Sequence, residues 1–318
     1  MKFGSYKDIK NKYKREQAYV EDLNAKKKLK AEKRKDIKAA ERKNPELKRK
    51  RQEENVPQTV ESQRRPIESM LTESDLPELS LEDDGSFPHP QILVTTNRLP
   101  RHLSTTKKGS QLAYFVDDLL DSLGGTAIYL GRPDDETLQI KDIAKMACAK
   151  GRSYTHLIVV NADRKVVNGL TVVRLPEGPS MYFTVSSYQS REDIKGSGVP
   201  TSHIPELVLN NFSSTQLGWK VGRMFQSLWP AQPELLGRQV VTLHNQRDYV
   251  FFRRHRYEFK DEKKVNLQEL GPRFTLKIKR AEKGIWDYGL LAKVDGEVGD
   301  VEWEWNSRLE KDKKTFHL

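Results

Sequence analysis

The sequence is poor in cysteine, in long apolar runs and in metal-ligand clusters. Its 318 residues hold one cysteine, Cys148. No disulfide framework can form, and a reducing compartment is expected. No stretch approaches the ~18 apolar residues that a membrane span needs. The N-terminus offers no apolar signal segment, so neither secretion nor membrane residence is expected. The histidines (His89, His102, His156, His203, His244, His255, His317) are scattered, with no HExxH and no cysteine pair, which argues against zinc. KGSGVP at 195–200 lacks the GK[ST] of a phosphate-cradling loop. Ser104, Ser186 and Ser187 sit in no nucleophile-elbow pattern. Asp117, Asp118 and Asp121 read as a solvated helix face. The expectation is a chain without catalytic residues, metal, cofactor or small-molecule substrate.

What the chain has is positive charge. The net charge is +11 and the pI about 9.4, which points to a polyanionic partner. Residues 1–60 hold 20 Lys/Arg against 10 Asp/Glu, and residues 61–90 hold 2 against 8. Residues 236–283 hold 13 against 6, which equals the whole +7 carried by residues 91–318. There are thus two basic regions. Hydrophobic content of 36% against 32% charged predicts a real core plus substantial disorder.

Residues 1–54 form a basic arm of Lys, Glu, Ala and Arg, helix-favouring but too sparse in apolar residues for a buried face. It is expected to be solvated alone and to order on RNA or protein. Within it, Lys48, Arg49, Lys50 and Arg51 are a candidate nuclear-localisation cluster. Residues 55–89 form an acidic, proline-containing linker. A folded α/β domain follows over 90–280, and 281–318 is a C-terminal extension. Strands are predicted at 92–97, 126–131 and 155–162, then a hairpin around Pro176–Pro179. Helices are predicted at 109–123 and 139–150. After a polar glycine-containing boundary the order restarts, with a strand at 206–212, a helix at 215–228, a hairpin at 239–259 and a strand at 274–280. The helices QLAYFVDDLLDSL (111–123) and QLGWKVGRMFQSL (216–228) match at five of thirteen positions. With the shared element order, this predicts two similar α/β halves, about 90–189 and 203–280.

The candidate site is the second basic region. In GRQVVTLHNQRDYVFFRRHRYEF (237–259), two β-branched and aromatic runs flank a turn at Asn245–Asp248. The second run interleaves Arg253, Arg254, His255 and Arg256 with Tyr249, Phe251, Phe252, Tyr257 and Phe259. In FTLKIKR, Phe274, Leu276 and Ile278 point one way and Thr275, Lys277 and Lys279 the other. The hairpin can extend that cationic face with Arg254 and Arg256 or with Arg253 and His255. Rings occur on both parities, so the sequence leaves the choice open. Lys260, Lys263, Lys264 and Arg273 are placed in the adjoining loop. Guanidinium groups grip phosphates and stack on bases, and exposed rings stack unpaired bases. RNA is expected rather than DNA, because the reader is a sheet and no helix-turn-helix or zinc-finger pattern is present.

HNQRDYVFFRRHRYEF, LQELGPRFTLKIKR, ILVTTNRLP and IPELVLNNF together resemble the signature of Brix-domain proteins, ribosome-biogenesis factors related to the Imp-four subunit of the small-subunit processome. The likeness runs from about Pro90 to Arg280. KNKYKREQ (10–17), TVESQR (59–64) and KTFHL (314–318) extend it to a large-subunit branch of that family. The resemblance implies two anticodon-binding-domain-like halves and a non-catalytic nucleolar factor. It implies binding to precursor rRNA of the large (60S) subunit, a dedicated protein partner in a heterodimer, and other pre-60S factors. It maps the basic segment onto Arg247, Arg253, Arg254, Arg256, Arg273, Lys277 and Lys279. The full candidate set adds Arg238, His244, His255, Lys260, Lys263, Lys264, Arg280, and Asn97 and Arg98 of the opening loop, where the family usually has serine in place of Asn97. Two other readings remain: a scaffold whose basic hairpin docks an acidic protein, and a subunit of an RNA-processing enzyme.

Overall fold

The computed structural model describes residues 9–54, 89–97, 110–132, 139–149, 153–164, 166–261, 264–285, 301–309 and 314–318, with single positions between 56 and 64. Arg98 and Lys263 lie outside them, as does most of the expected linker. The chain divides into two compact units, 1–63 and 64–318.

The first unit is helical. α1 (Lys12–Lys43) starts at Asn11, whose side chain accepts from the Lys14 amide at 3.3 Å. It stops at Asn44, because a residue preceding proline is pushed to extended backbone. Pro45 then opens α2 (Pro45–Glu54), a position where its missing N–H costs nothing. Neither helix buries a residue, as the sparse apolar spacing predicts.

The second unit contains β1 (Ile92–Thr96), α3 (Gln111–Ser122), β2 (Ala127–Tyr129), α4 (Ile140–Ala147), β3 (His156–Asp163), β4 (Val166–Arg174) and β5 (Ser180–Gln189). It continues with β6 (Glu206–Asn210), α5 (Gln216–Gln226), β7 (Gln239–Gln246), β8 (Tyr249–Asp261), β9 (Lys264–Glu269), β10 (Arg273–Glu282) and β11 (Val301–Glu304). The described strands form one mixed sheet in the order β2-β1-β3-β4-β5-β10-β8-β7-β6, with β9 on β8 and β11 on β10. Apart from β2 the order is palindromic about the antiparallel β5–β10 seam: β1-β3-β4-β5 on one side mirrors β6-β7-β8-β10 on the other. The duplication read from the helices is therefore also topological. The matched helices even share their caps. Ser110 caps α3 by accepting from Ala113 N, and Thr215 caps α5 by accepting from Gly218 N.

Helices pack differently on the two faces. α3 and α5 lie on one, burying Leu112, Phe115, Val221 and Phe225 against Ile92, Ile158, Phe183, Leu243, Phe252, Phe274 and Leu276. α4 lies on the other, burying Ile140, Ile143 and Ala144 against Leu93, Leu157, Val159 and Val173 of the first half. The second half passes from α5 to β7 through a single 3-10 turn, Leu235–Gly237, and has no α-helix in the place of α4.

Two ties fix the assembly of this unit. The hairpin turn Arg247-Asp248 has positive φ at both residues (55° and 64°), as a two-residue type I′ loop requires. The Asp248 carboxylate accepts from the amides of His317 and Leu318 at 2.6 and 2.8 Å. Arg64 donates to the Leu318 carbonyl at 2.8 Å and lies over the Phe316 ring. Arg64 and the terminal KTFHL segment, 254 residues apart at Arg64 and Leu318, thus meet beside this turn. The second tie is His156, which is buried on β3 of the first half. Its ring nitrogens contact Thr155 Oγ1 and, across the halves, Ser227 Oγ, both at 2.9 Å.

Burial, with Arg174 nearby, pushes His156 down to about 4 from its ordinary 6.5. Between those values the unfolded chain binds the extra proton, so the stabilising effect of a neutral His156 is complete above pH 6.5 and is lost as pH falls toward 4. The expected loss is about 3 kcal/mol, at about 1.4 kcal/mol per pH unit. Urea unfolding of the wild type and His156→Gln between pH 7 and 4 measures it. The variant should show a visibly flatter decline, and parallel curves would rule His156 out as the titrating group.

Candidate nucleic-acid interface

Strand pairing resolves the parity. On β8, Val250, Phe252 and Arg254 face the side covered by α3 and α5, and Tyr249, Phe251, Arg253 and His255 face away. Cross-strand partners share a face, so the outward set can be followed across the sheet. Lys277 and Thr275 of β10 stand opposite Tyr249 and Phe251. Thr184 and Ser186 of β5 stand opposite Lys277 and Thr275. His244 and Thr242 of β7 stand opposite Phe251 and Arg253. This is the face that α4 covers in the first half. In the second half no described helix of this unit covers it: α3 and α5 pack on the opposite face, and the buried residues of α4 are all accounted for in the first half.

The result is an open platform of rings and cations. Tyr249 is exposed, and Phe251, Arg253, His255, His244, Arg273, Lys277 and Lys279 are half-buried. Trp305, just past β11, is held by its amide to the Lys279 carbonyl at 2.8 Å. The Lys279 ammonium lies 3.1 Å from the centre of its ring, and Lys277 lies 5.1 Å from that ring and 4.9 Å from Tyr249. Beneath, Phe252 stacks on Phe274 at 4.3 Å with planes 8° apart. Such a pair adds about 0.5–1.5 kcal/mol beyond area burial.

The electrostatics are one-sided. Arg273 donates to Gln189 at 2.6 Å and lies 3.5 Å from Glu269. Arg253 is pushed down by burial, an effect opposed by Glu269 and reinforced by Arg273. His255 is likewise pushed down by burial, with Glu269 raising it and Arg253 lowering it. Two guanidinium groups and a neutral imidazole therefore surround one carboxylate, and an incoming anion would relieve the repulsion between Arg253 and Arg273.

Several expected residues leave this set. Arg254 is 1% exposed and donates to Gln239 at 2.7 Å; burial drives it down to about 10. It is a core cation, because the even parity of β8 points inward. Arg280 pairs with Glu282 and with Glu304 of β11, so its charge is spent within the chain. Asn97 donates to the Ala162 carbonyl and accepts from its amide, at 3.0 and 3.1 Å; it laces β1 to β3. Arg256 donates to the Val199 carbonyl at 2.9 Å. Arg238 and Arg247 are exposed in turns at the two ends of β7. Lys260 and Lys264 are exposed, but the expected loop is strand β9 pairing with β8. Lys48, Arg49, Lys50 and Arg51 lie exposed on α2, and Arg51 is bonded to Glu41. Trp305 was missed; its only sequence signal is the alternation of VEWEW.

Ser227 Oγ donates to the Met224 carbonyl at 2.8 Å, so it accepts from Nε2 of a neutral His156, the reverse of a base-activated nucleophile. Asp118 is not a solvated carboxylate as expected. It accepts from Tyr188 OH at 2.8 Å and from the Arg191 amide, and burial raises its pKa despite both bonds. Asp117 and Asp121 are exposed.

The Brix domain model matches residues 106–280. The chain is 41% identical over 321 aligned residues to Ribosome production factor 1 of Saccharomyces cerevisiae, covering 100% of both chains. It is 42% identical to a Brix domain-containing protein of Schizosaccharomyces pombe, covering 98% of this chain and 99% of that one. Ribosome production factor 1 of Mus musculus is 39% identical over 99% of this chain and 85% of its own. Among solved structures, a probable ribosomal biogenesis protein from Aeropyrum pernix aligns over 59% of this chain and 96% of its own, with 17% identity and a TM-score of 0.41.

The parity assignment predicts opposite phenotypes for neighbouring arginines. Arg254→Ala should cost roughly 2–4 kcal/mol in chemical denaturation, because it empties a buried volume and strands Gln239. Arg253→Ala should stay within about 1 kcal/mol of the wild type. Equal losses would mean that the parity is misassigned.

Proposed function

The chain belongs to the Brix-domain family, and on that premise we propose that it is a non-catalytic assembly factor that holds precursor rRNA during formation of the large (60S) ribosomal subunit. The observation that carries the RNA assignment is the open sheet face. Tyr249, Phe251, Arg253 and His255 share the outward parity of β8, Lys277 stands opposite Tyr249, Trp305 lies against Lys277 and Lys279, and a packed aromatic layer lies behind. Rings offer unpaired bases a surface worth roughly 1–3 kcal/mol each, and the cations meet the backbone. A purely solvated sheet face does not need the rings. The names of the relatives, Ribosome production factor 1 in yeast and mouse, support the placement in ribosome assembly, and with it a nuclear, nucleolar site of action.

A protein partner has a separate place to dock. The end of the β8–β9 ribbon pairs Tyr257 with Leu267 and Phe259 with Val265. Phe259 is 69% and Leu267 62% exposed. Adjacent exposed apolar side chains of this size mark an interaction site. We assign this ribbon to the dedicated assembly partner and the cationic face to RNA.

Changing Arg253, Arg273, Lys277 and Lys279 together to Gln should flatten the salt dependence of single-stranded RNA binding by about 3 log units per log salt, at about 0.7 per phosphate contact. Crosslinking and sequencing from cells should recover large-subunit precursor rRNA with the wild type and much less with the variant. Unchanged crosslinks combined with loss of a protein complex would instead favour the acidic-partner reading.

A further inference from the structure

We propose that α1 is a second RNA site on this chain and that its ligand is double-stranded RNA, gripped along the phosphate backbone without regard to sequence. The inference rests on the rRNA-binding reading above and adds the form of the RNA.

The argument starts from the placement of charge. α1 runs unbroken for 32 residues and buries none of them. At 3.6 residues per turn, Lys27, Lys30, Arg34 and Lys38 fall within an arc of about 80° and span about 17 Å along the axis. Their side chains border one shallow groove over Ala31, flanked by Lys35. The acids of the same stretch, Glu32 and Asp36, lie on roughly the opposite side, by the same geometry. Lys26, on the flank, pairs with Asp22 at 3.3 Å. Glu41 would fall close to the stripe, but Arg51 of α2 is bonded to both of its carboxylate oxygens. The stripe itself makes no ion pair among the described residues.

Such a stripe is unfavourable for an isolated helix. Like charges three and four residues apart repel by about 0.2–0.5 kcal/mol per pair. Between Lys27 and Lys38 the large apolar residues are Leu29 and Ile37, both exposed and two turns apart, which is too few for the seam of a coiled coil or the apolar face of an interfacial membrane helix. A polyanion removes the repulsion.

The ligand's form follows from what the stripe lacks. It carries no ring, whereas binding of single strands relies on stacking. A straight rod of cations suits the regular phosphate rows of a duplex. A helix about 10–12 Å across can lie against the wide, shallow minor groove of A-form RNA. The sheet face has the complementary equipment for unpaired bases.

The experiment uses the full chain, a 24-base-pair RNA duplex of arbitrary sequence, and an unstructured single strand of the same length. The stripe variant carries Lys27→Gln, Lys30→Gln, Arg34→Gln and Lys38→Gln. The control carries Lys26→Gln, Lys28→Gln, Lys33→Gln and Lys43→Gln, removing the same charge from other sides of the helix. Gln keeps helix propensity close to that of Lys and Arg, and circular dichroism checks that helicity is retained. The stripe variant should lose about tenfold or more in duplex affinity at 100 mM salt, and its salt slope should fall by about 3–4. Its single-strand affinity should be nearly unchanged. Equal loss in the control would overturn the stripe in favour of bulk charge. Duplex binding that survives in the stripe variant, or that is absent from the wild type, overturns the proposal. In either case intact single-strand binding leaves the sheet-face reading standing. If the wild type binds neither probe, both readings fall.

Discussion

The stacking of Phe252 on Phe274 sets everything that faces outward. The two rings sit directly opposite each other on β8 and β10, and Phe115 of α3 closes on Phe274 from the helical side. In a strand the side-chain period is two, so a one-residue slip exchanges the faces. A slip here would drive Arg253 and His255 into the core and bring Phe252 out. The aromatic layer makes that exchange prohibitive. It thereby aims Arg253, Phe251 and Tyr249 away from the helices with a rigidity that a loop could not supply.

The palindromic sheet explains why that face is open. Joining two β-α-β units at the β5–β10 seam gives a continuous core on the side of α3 and α5. The other side has one helix, α4, and it serves only the first half. The second half has no crossover helix to spare, since β7, β8 and β10 follow one another as antiparallel neighbours around the β9 excursion. Its outward residues must then tolerate water, and Thr, His, Lys and Arg do. Rings among them are the exception that calls for a ligand. Arg254 is the cost of the arrangement. It continues the inward parity where the strand runs past the core, and it meets Gln239, with Asp118 and Asp121 near enough to favour its charge.

Much of this was legible from spacing alone. The apolar periods of α3 and α5, the continuous run of β3 and the alternation of FTLKIKR are local signals, and local signals decide element type. The parity of β8 was not, because Phe251 and Phe252 are equally apolar and only their neighbours across the sheet distinguish them. The pairing of Arg280 with Glu304 and the seating of Trp305 over Lys279 join segments more than 20 residues apart. Asn97 read as a loop residue, and its two bonds to Ala162 exist only once β1 lies beside β3. β9 was hidden because KVNLQE is a polar ribbon strand, and nothing but its partner β8 makes it a strand.

The two basic regions, similar in charge, differ in the one feature that discriminates RNA forms. On the sheet, cations alternate with rings, and the backbone behind them is fixed by packing. On the stripe of α1, cations recur at helical spacing around Ala31, and no residue of the helix is buried. A platform with rings gains from bases that have left their stack, while a stripe without rings gains only from charge and is indifferent to sequence. A folding precursor presents both forms at once, paired stems beside unpaired segments. On the proposed reading, α1 engages paired stems through their backbone and the sheet face engages unpaired segments through their bases. Recognition of that kind depends on RNA architecture rather than on any single base.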